Sequence, residues 1–333
     1  MKIAIVGAGA IGGYVGARLA LAGEQVTFMV RGANLAAIRA NGVRLVLGDG
    51  GEQVAGHVGA SDDYAATGPQ DMVILAVKAH QLESVVNEVP KLLGPDTVVI
   101  TMQNGIPYWY FYRHGGELAG TVVRSVDPQG LIGQHITPAR VIGCVVYASS
   151  QLAAPGVIHH IHGDLLPVGE LDGSRGARVA QVSQSLIHAG FKSPILDDVR
   201  SEIWLKLWGN LSFNPISALA RATMEDICRF PPTRKLTEAM MLEAQAVAAR
   251  LGVSFRIGLE QRIAGAQKVG AHRTSMLQDV EAGREPELEA LVGSVVELGR
   301  LTHTPTPVVE TVYALGSLLA RTIAENRRGG SHK

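Results

Sequence analysis

The chain is poor in cysteine, aromatic residues and net charge, and each shortage excludes a class of protein. Its 333 residues include only two cysteines, Cys144 and Cys228. Two are too few for a disulfide scaffold or a four-cysteine zinc site, and such a count is typical of a reducing compartment. Thirty basic residues balance thirty acidic ones, so charge gives no reason to expect nucleic acid or an anionic membrane as partner.

Long uninterrupted apolar runs are also missing. The run over 3–17 contains five glycines and is ended by Arg18, and the uncharged stretch 141–158 is broken by Ser149, Gln151 and Pro155. Neither pattern spans a bilayer. We therefore expect a soluble, cytoplasmic protein without a membrane partner.

Short apolar runs alternate with helical patterns in the first half of the chain. Strand-like runs occupy residues 2–6, 25–30, 71–77 and 97–102. Apolar spacing predicts helices over 11–22 and 80–93, and continuous apolar strands between helices predict a parallel sheet covered on both faces. The stretch 120–170 lacks a clear helical pattern and is interpreted as further strands that complete this sheet.

A glycine motif follows the first of these strands. Gly7-Ala8-Gly9-Ala10-Ile11-Gly12 stands between the apolar strand and a helix, the context in which G-x-G-x-x-G binds a dinucleotide pyrophosphate at a helix N-terminus. The alternative is a glycine-rich turn without a ligand. The motif predicts a Rossmann-type domain, and we expect Gly7, Ala8, Gly9, Ala10, Ile11 and Gly12 to contact the cofactor.

The end of the second strand favours NADP. NAD-binding proteins usually place an acidic residue there for the ribose hydroxyls, but no Asp or Glu occurs between Glu24 and Asp49. Arg31 stands at that position, and its guanidinium suits a 2′-phosphate. The alternative is a solvated arginine on a loop.

Two more polar residues follow predicted strands. Lys78 comes after the strand VILAV and Asn104 after TVVITMQ, so both are expected at the ligand-binding edge of the sheet. Lys78 is interpreted as a cofactor residue and Asn104 as one that faces cofactor and substrate. Their alternatives are a surface lysine and ordinary turn chemistry.

From Val199 onward, long helical periods replace the strands, roughly over 199–221, 233–251, 257–269, 287–303 and 306–326. The fold class predicted is α/β, an N-terminal Rossmann-type parallel sheet followed by an all-helical C-terminal domain. We predict an NADP-binding domain over 1–196 and a substrate and dimerisation domain over 197–333.

The first of these helices carries a polar stripe on an otherwise apolar segment. Lys206, Asn210 and Asn214 are spaced four residues apart, and Ser217 extends the stripe. Buried amides and ammonium groups need partners, so the stripe predicts a polar ligand. The alternative is the solvated face of an amphipathic helix. Pro215 is expected to kink this helix or to begin a new one.

Beyond single motifs, the chain as a whole resembles the ketopantoate reductases (2-dehydropantoate 2-reductases) of pantothenate biosynthesis. The resemblance rests on KIAIVGAGAIG, LAVK with Lys78, MQNG with Asn104, WLKLWGNLSFNP and the segment SMLQDVEAGR with its following ELE. It implies an NADPH-dependent oxidoreductase of a small 2-keto acid, and a homodimer.

The resemblance also implies residue roles. Lys206 matches the general acid, and its burial between Trp204 and Trp208 is expected to lower its pKa. Glu287 matches a catalytic glutamate. Asn104, Asn210, Asn214 and Ser275 match substrate-binding residues, and Arg31 and Lys78 match residues near NADPH.

Some features leave alternatives open. Glu287 has the neighbours Glu285 and Glu289, either of which competes for its role, and the chain carries His159, His160 and His162, for which a metal site is a minor alternative. We expect no metal. The remaining functional alternatives are a related NADP-dependent reductase of another 2-keto or 3-hydroxy acid and a non-catalytic NADP-binding regulator.

Overall fold

The computed structural model describes residues 1–329, which form two compact units. The sheet unit consists of residues 1–103, 111–121 and 129–199. The helical unit consists of 104–110, 122–128 and the chain from Arg200 onward. The helical unit therefore includes two segments from the first half of the sequence.

Strands of the sheet unit are numbered in chain order: β1 (Lys2–Val6), β2 (Gln25–Met29), β3 (Val43–Val46), β4 (Glu52–Ala55), β5 (Gly59–Ser61), β6 (Gln70–Leu75), β7 (Leu93–Thr101), β8 (Val141–Cys144), β9 (Ser149–Ala154), β10 (Val157–His162) and β11 (Val168–Glu170). The main sheet has the order β11-β8-β7-β6-β1-β2-β5, parallel except for β11. The predicted parallel sheet and fold class are confirmed.

Its helices are α1 (Ala10–Leu21), α2 (Gly32–Asn41), α3 (Tyr64–Thr67), α4 (Leu131–His135) and α5 (Ala177–His188). Apolar residues of α1 and α5 join side chains of the central strands in one buried cluster. Residues 3–6 of β1 are fully buried, because elements cover both faces of a parallel sheet. This is why the strand sequences are continuous apolar runs and not alternating ones.

The prediction for residues 120–170 was only partly right. Strands β8 and β11 do extend the main sheet, but β9 and β10 form a hairpin in a second sheet of order β4-β3-β10-β9. The stretch also contains α4. Burial gives the reason: all of β8 is buried, whereas residues 151–154 of β9 are exposed, so only β8 has the composition of a central strand.

The helix predicted over 80–93 is wrong. Two 3₁₀ turns occupy this region, Ala79–Ser84 and Val89–Leu92. Pro90 has no N–H for an α-helical hydrogen bond and its ring clashes with the preceding turn, so the apolar spacing alone does not make an α-helix.

Helices of the helical unit are α6 (Val199–Ala220), α7 (Met224–Arg229), α8 (Pro231–Arg250), α9 (Leu259–Lys268), α10 (Ser275–Glu281), α11 (Ser294–Leu301) and α12 (Pro307–Gly329). A π turn, Glu289–Gly293, leads directly into α11. The sequence patterns missed the two shortest helices, α7 and α10. Helix α6 continues through Pro215 as one element, so no new helix begins there. No described helix is long and apolar enough to cross a membrane.

Two fully buried tryptophans anchor α6 in the helical unit. Trp204 Nε1 donates to the Tyr110 hydroxyl at 2.7 Å, and Trp208 Nε1 donates to the Met241 carbonyl at 2.7 Å. The Trp208 ring also stacks on Phe255, with 4.3 Å between centroids. Both indoles thus bury their rings and satisfy their single donor.

The second sheet braces the glycine loop through Asn34. Its Nδ2 donates to the Ala8 carbonyl at 2.9 Å, and its Oδ1 accepts from the Gly156 N–H at 2.9 Å. Ser150 adds a hydrogen bond to the Ala10 carbonyl at 2.8 Å. The β9–β10 hairpin and the loop are therefore tied together by side chains.

Asn34→Ala should lower the free energy of unfolding by about 1–3 kcal/mol, because two backbone groups lose their partner at once. Denaturant unfolding measures this loss. Asn41→Ala is the matched control, since Asn41 is exposed on the same helix and its replacement should stay within about 0.5 kcal/mol of the parent. Equal effects of both variants would show that the bridge contributes nothing.

Candidate active site

The glycine loop between β1 and α1 has the shape of a phosphate cradle. An ideal Cβ on Gly12 would lie 1.9 Å from the Gly7 carbonyl oxygen, so that position requires glycine, while a Cβ on Gly9 would meet no atom within 4 Å. Helix α1 has neither a side-chain cap nor an acidic residue in its first turn. Open space beside uncapped N–H groups fits a bound pyrophosphate.

Arg31 and Lys78 follow the strands on either side of β1. Arg31 is exposed at the start of α2, just after β2, and Lys78 is half-buried just after β6. Strands β2 and β6 both pair in parallel with β1, so the two cations belong to the same sheet edge as the glycine loop. This edge is where doubly wound sheets bind ligands.

In the helical unit, the structure brings together two of the predicted substrate-side residues. Lys206 Nζ donates a hydrogen bond to Asn104 Oδ1 at 2.6 Å. Between residues 202 and 218 of α6, every side chain is buried except Lys206 and Asn210, which are half-buried. Over this span the helix is therefore most accessible at the lysine and one turn later.

The two asparagines of the stripe keep unused hydrogen-bonding capacity. Asn214 is only 5% exposed, yet within residues 1–329 neither its amide nor that of Asn210 is hydrogen-bonded to the protein. Ser217 differs, because its hydroxyl donates to the Ala222 carbonyl at 2.6 Å. The stripe that offers polar groups to a ligand therefore consists of Lys206, Asn210 and Asn214, and the expected extension to Ser217 is wrong.

Trp204 and Trp208 do not enclose Lys206, contrary to the expectation from sequence. Side chains two residues apart on a helix point to nearly opposite faces, and both indole N–H groups bind partners on the buried side of α6. The tryptophans fix the helix in the core and leave the lysine on the other face. The expected enclosure of the ammonium group by the two indole rings is therefore wrong.

The turn that carries Asn104 is seated on the π turn. Ile106 N–H donates to the Ala290 carbonyl at 2.9 Å, and Ser294 Oγ donates to the same oxygen at 2.8 Å. Gly105 has φ +87°, and an ideal Cβ on it would lie 2.0 Å from that oxygen. π turns are frequent at functional sites. Here the Ala290 carbonyl of the π turn fixes Gly105 and Ile106, the two residues that follow Asn104.

The far end of the same segment is fastened to α6. Arg200 Nε donates to the Tyr110 carbonyl at 2.8 Å, and the Tyr110 hydroxyl receives the Trp204 indole N–H. Tyr108, between the two ends, is buried. Its burial, with a smaller contribution from the Asp127 charge, raises the pKa of Tyr108. The segment 104–110 is thus fixed at both ends against the helical unit.

Ser275 and Glu287 frame a short connection before the π turn. Ser275 is exposed at the first turn of α10, and Glu287 is half-buried after Pro286. Between them, Arg284 Nε donates to Asp279 Oδ1 at 3.0 Å. This ion pair closes the loop from α10 toward Glu287, and the sequence argument did not assign a role to it although both residues lie in the quoted motif.

The neighbours of Glu287 have different surroundings. Glu289 is exposed and accepts from the Tyr313 hydroxyl at 2.8 and 2.9 Å, and desolvation by the surrounding protein raises the pKa of Glu289. Glu285 is exposed. Glu289 therefore has a protein partner for its carboxylate.

The three histidines lie on β10 in the sheet unit. His160 stacks on Tyr14 of α1 with ring centroids 4.5 Å apart, and its Nε2 lies 2.8 Å from the Gly163 carbonyl. His159 is half-buried and His162 exposed. No group of three or more potential metal-binding side chains comes together among the described residues.

Known proteins resemble the chain over nearly its whole length. The family described as "Ketopantoate reductase PanE/ApbA" matches residues 3–173, and its C-terminal domain family matches residues 198–319. A 2-dehydropantoate 2-reductase from Mesorhizobium japonicum is 51% identical over 96% of this chain and 98% of its own. Another, from Archaeoglobus fulgidus, is 30% identical over 90% of each chain.

A solved structure agrees with these sequence matches. A candidate ketopantoate reductase from Ralstonia solanacearum superposes with a TM-score of 0.92 at 42% identity, covering 96% of this chain and 98% of its own. The similarity extends across both predicted domains.

Gly105→Ala should cost more stability than a positive φ alone explains, because the new methyl group would strike the Ala290 carbonyl. Gly252→Ala is the control: Gly252 has φ +78° with no atom within 4 Å of an ideal Cβ, so it should lose only about 1 kcal/mol. Denaturant unfolding should show a loss of at least about 2 kcal/mol for Gly105→Ala. Similar losses of stability in the two variants would show that Gly105 is not in close contact with the Ala290 carbonyl.

Proposed function

The chain belongs to the ketopantoate reductase family, and from that premise we propose that it reduces 2-dehydropantoate to pantoate with NADPH. Two relatives, 51% and 30% identical to this chain, are named for this reaction. The proposal gives one task to each unit: the sheet unit binds the dinucleotide, and the helical unit binds the 2-keto acid.

The observation that carries the proposal is the polar stripe of α6. A half-buried ammonium group is held by Asn104, and the next two turns present amides without protein partners within the described chain. Among the described residues, the buried side-chain oxygen or nitrogen without a partner is Thr237 Oγ1, so the amide groups of both asparagines are open to solvent or to a ligand. A substrate with a carboxylate, a carbonyl and a hydroxyl group supplies the missing partners.

Each residue then has a task in the reduction. Bound NADPH supplies a hydride to the ketone carbon. Lys206 donates a proton to the carbonyl oxygen, which gains negative charge as the C–H bond forms. The contact with Asn104 holds Nζ in place, and the amides of Asn210 and Asn214 donate to substrate oxygens. Ser275 binds the carboxylate, and Glu287 accepts from the substrate hydroxyl and orients the lysine.

The cofactor preference rests on Arg31. An arginine follows β2 where NAD-binding proteins carry an acidic residue, and Lys78 follows the strand on the other side of β1. Two cations at this edge favour the extra phosphate of NADPH. The residues of the cradle would be Gly7, Ala8, Gly9, Ala10, Ile11 and Gly12.

We also propose a homodimer formed through the helical unit. Leu242 of α8 and Leu315 and Leu318 of α12 are each about half exposed, and the two helices pack together. Apolar side chains on adjacent helices are typical of an interface between subunits.

Lys206→Ala should lower kcat by about 10²- to 10⁴-fold, because the general acid is lost. NADPH oxidation followed at 340 nm with 2-dehydropantoate measures this, beside a panel of branched 2-keto acids. Lys235→Ala, at an exposed lysine of α8, should leave turnover unchanged. If Lys206→Ala turns over at nearly the rate of the parent, Lys206 is not the general acid. If another keto acid is reduced faster than 2-dehydropantoate, that acid is the better candidate substrate.

Arg31→Ala should raise KM for NADPH by about 10- to 100-fold and leave KM for NADH nearly unchanged, because only NADPH loses a charge-assisted hydrogen bond. Steady-state kinetics with both cofactors tests this. Arg39→Ala is the control, since Arg39 lies on α2 and its Nε donates to the Ala60 carbonyl. Equal effects of Arg31→Ala on both cofactors would contradict the 2′-phosphate assignment.

A further inference from the structure

Helix α6 carries a buried carboxylate one turn before Lys206. Glu202 is 5% exposed and stands four residues before the lysine, in line with Asn210 and Asn214. Side chains spaced by four residues are neighbours on a helix surface. The stripe therefore begins with an acidic group, which the sequence analysis did not include.

An arginine from the loop after α8 holds this carboxylate. Arg256 Nη2 donates to Glu202 Oε1 at 3.1 Å, and Nη1 donates to Oε2. The Arg256 side chain is 64% exposed, while that of Glu202 is 6% exposed. The pair thus joins a solvated cation to a buried anion with two hydrogen bonds, an arrangement that fixes the carboxylate in one orientation.

We infer that the Glu202–Arg256 pair is a positioning pair that sets the protonation of Lys206, an inference that rests on the proposed function of this lysine as general acid. The Glu202 charge stabilises the ammonium form, and Arg256 limits that effect while it holds the carboxylate. A negative charge one helical turn away favours the protonated lysine, so the proton donor stays charged until it acts.

Other charged or titratable groups near this part of α6 do not change the sign of the effect. Arg200 lies on α6, Tyr108 and Tyr110 come from segment 104–110, and Arg262 of α9 lies beside Gly209. Glu287, proposed to bind the substrate hydroxyl and to orient the lysine, has a charge of the same sign as Glu202 and is unchanged in both variants. Arginine side chains keep their charge over the working pH range, and burial raises the pKa of Tyr108. Glu202 is thus the acidic group on the same face of α6, one turn from the lysine.

The two partners predict shifts of opposite sign. Glu202→Gln removes a negative charge, so the pKa of Lys206 falls and the alkaline limb of the kcat/KM profile moves to lower pH by about one unit. Arg256→Gln removes a positive charge, so the same limb moves to higher pH. The double variant should lie close to the parent, because the two changes compensate.

A matched control exists in the sheet unit. Glu170 is 5% exposed, and Arg178 binds both of its carboxylate oxygens. Glu170→Gln therefore removes a buried carboxylate of similar surroundings, and its kcat/KM profile should keep the position of the alkaline limb. Thermal unfolding of each variant separates a loss of stability from a change in protonation.

A second measurement reports on the lysine without turnover. The rate at which acetic anhydride modifies Lys206, followed by peptide mass spectrometry from pH 7 to 11, gives the pKa of its ammonium group. The same opposite shifts are expected for Glu202→Gln and Arg256→Gln. An alkaline limb and a modification profile that do not move, or that move in the same direction in both variants, would overturn the inference.

The proposed function and the inference about the Glu202–Arg256 pair can fail independently of each other. One outcome is that the parent protein shows no NADPH oxidation with any of the keto acids while the modification profiles of the two variants shift in opposite directions. In that case the reaction assignment is wrong and the inference about the charge pair stands. If the parent is active and the profiles stay fixed, Glu202 is a structural residue and the reductase assignment stands. Should Glu202→Gln fail to fold, Arg256→Gln still tests the sign, since its guanidinium is largely solvated.

Discussion

The hydrogen bond from Lys206 to Asn104 is the contact on which the proposed site depends. Helix α6 is buried over most of its length, and a charged group on such a helix needs a fixed partner. Asn104 provides it at 2.6 Å, while the amides one and two turns further along the helix keep their hydrogen-bonding capacity. The site therefore combines one satisfied cation with unsatisfied neutral donors and acceptors, which suits a small anionic ligand that carries oxygen atoms.

Several features fix the segment that begins with Asn104. The chain turns at Gly105 with a conformation that favours glycine, the next N–H reaches a carbonyl of the π turn, and Tyr110 is fastened to α6 from two side chains. The π turn follows Glu287 after one residue. Asn104, the partner of the proposed acid, is thus linked to the π turn beside Glu287 through a short stretch of hydrogen-bonded backbone.

The sequence allowed the sheet, the glycine loop and the stripe of α6 to be predicted, because each has a local signal. Continuous apolar runs mark buried parallel strands, and a glycine at the Gly12 position is required by the nearby Gly7 carbonyl. Features that depend on distant partners were not predictable: the second sheet, the hydrogen bond from Ile106 to the π turn and the Glu202–Arg256 pair each join segments far apart in sequence. The tryptophan argument failed for a local reason, since residues two apart on a helix do not face each other.

Two short segments that precede the predicted boundary near residue 196 pack with the helical unit. Gln103 donates to the Leu75 and Val77 carbonyls of the sheet unit, at 3.0 and 3.1 Å, whereas Asn104 binds Lys206 of the helical unit. The segment 122–128 behaves similarly, because Ser125 N–H and Oγ donate to Glu297 of α11. Asn104 and Lys206 thus keep their contact inside a single compact unit. The orientation of the proposed proton donor is therefore set by packing within the helical unit.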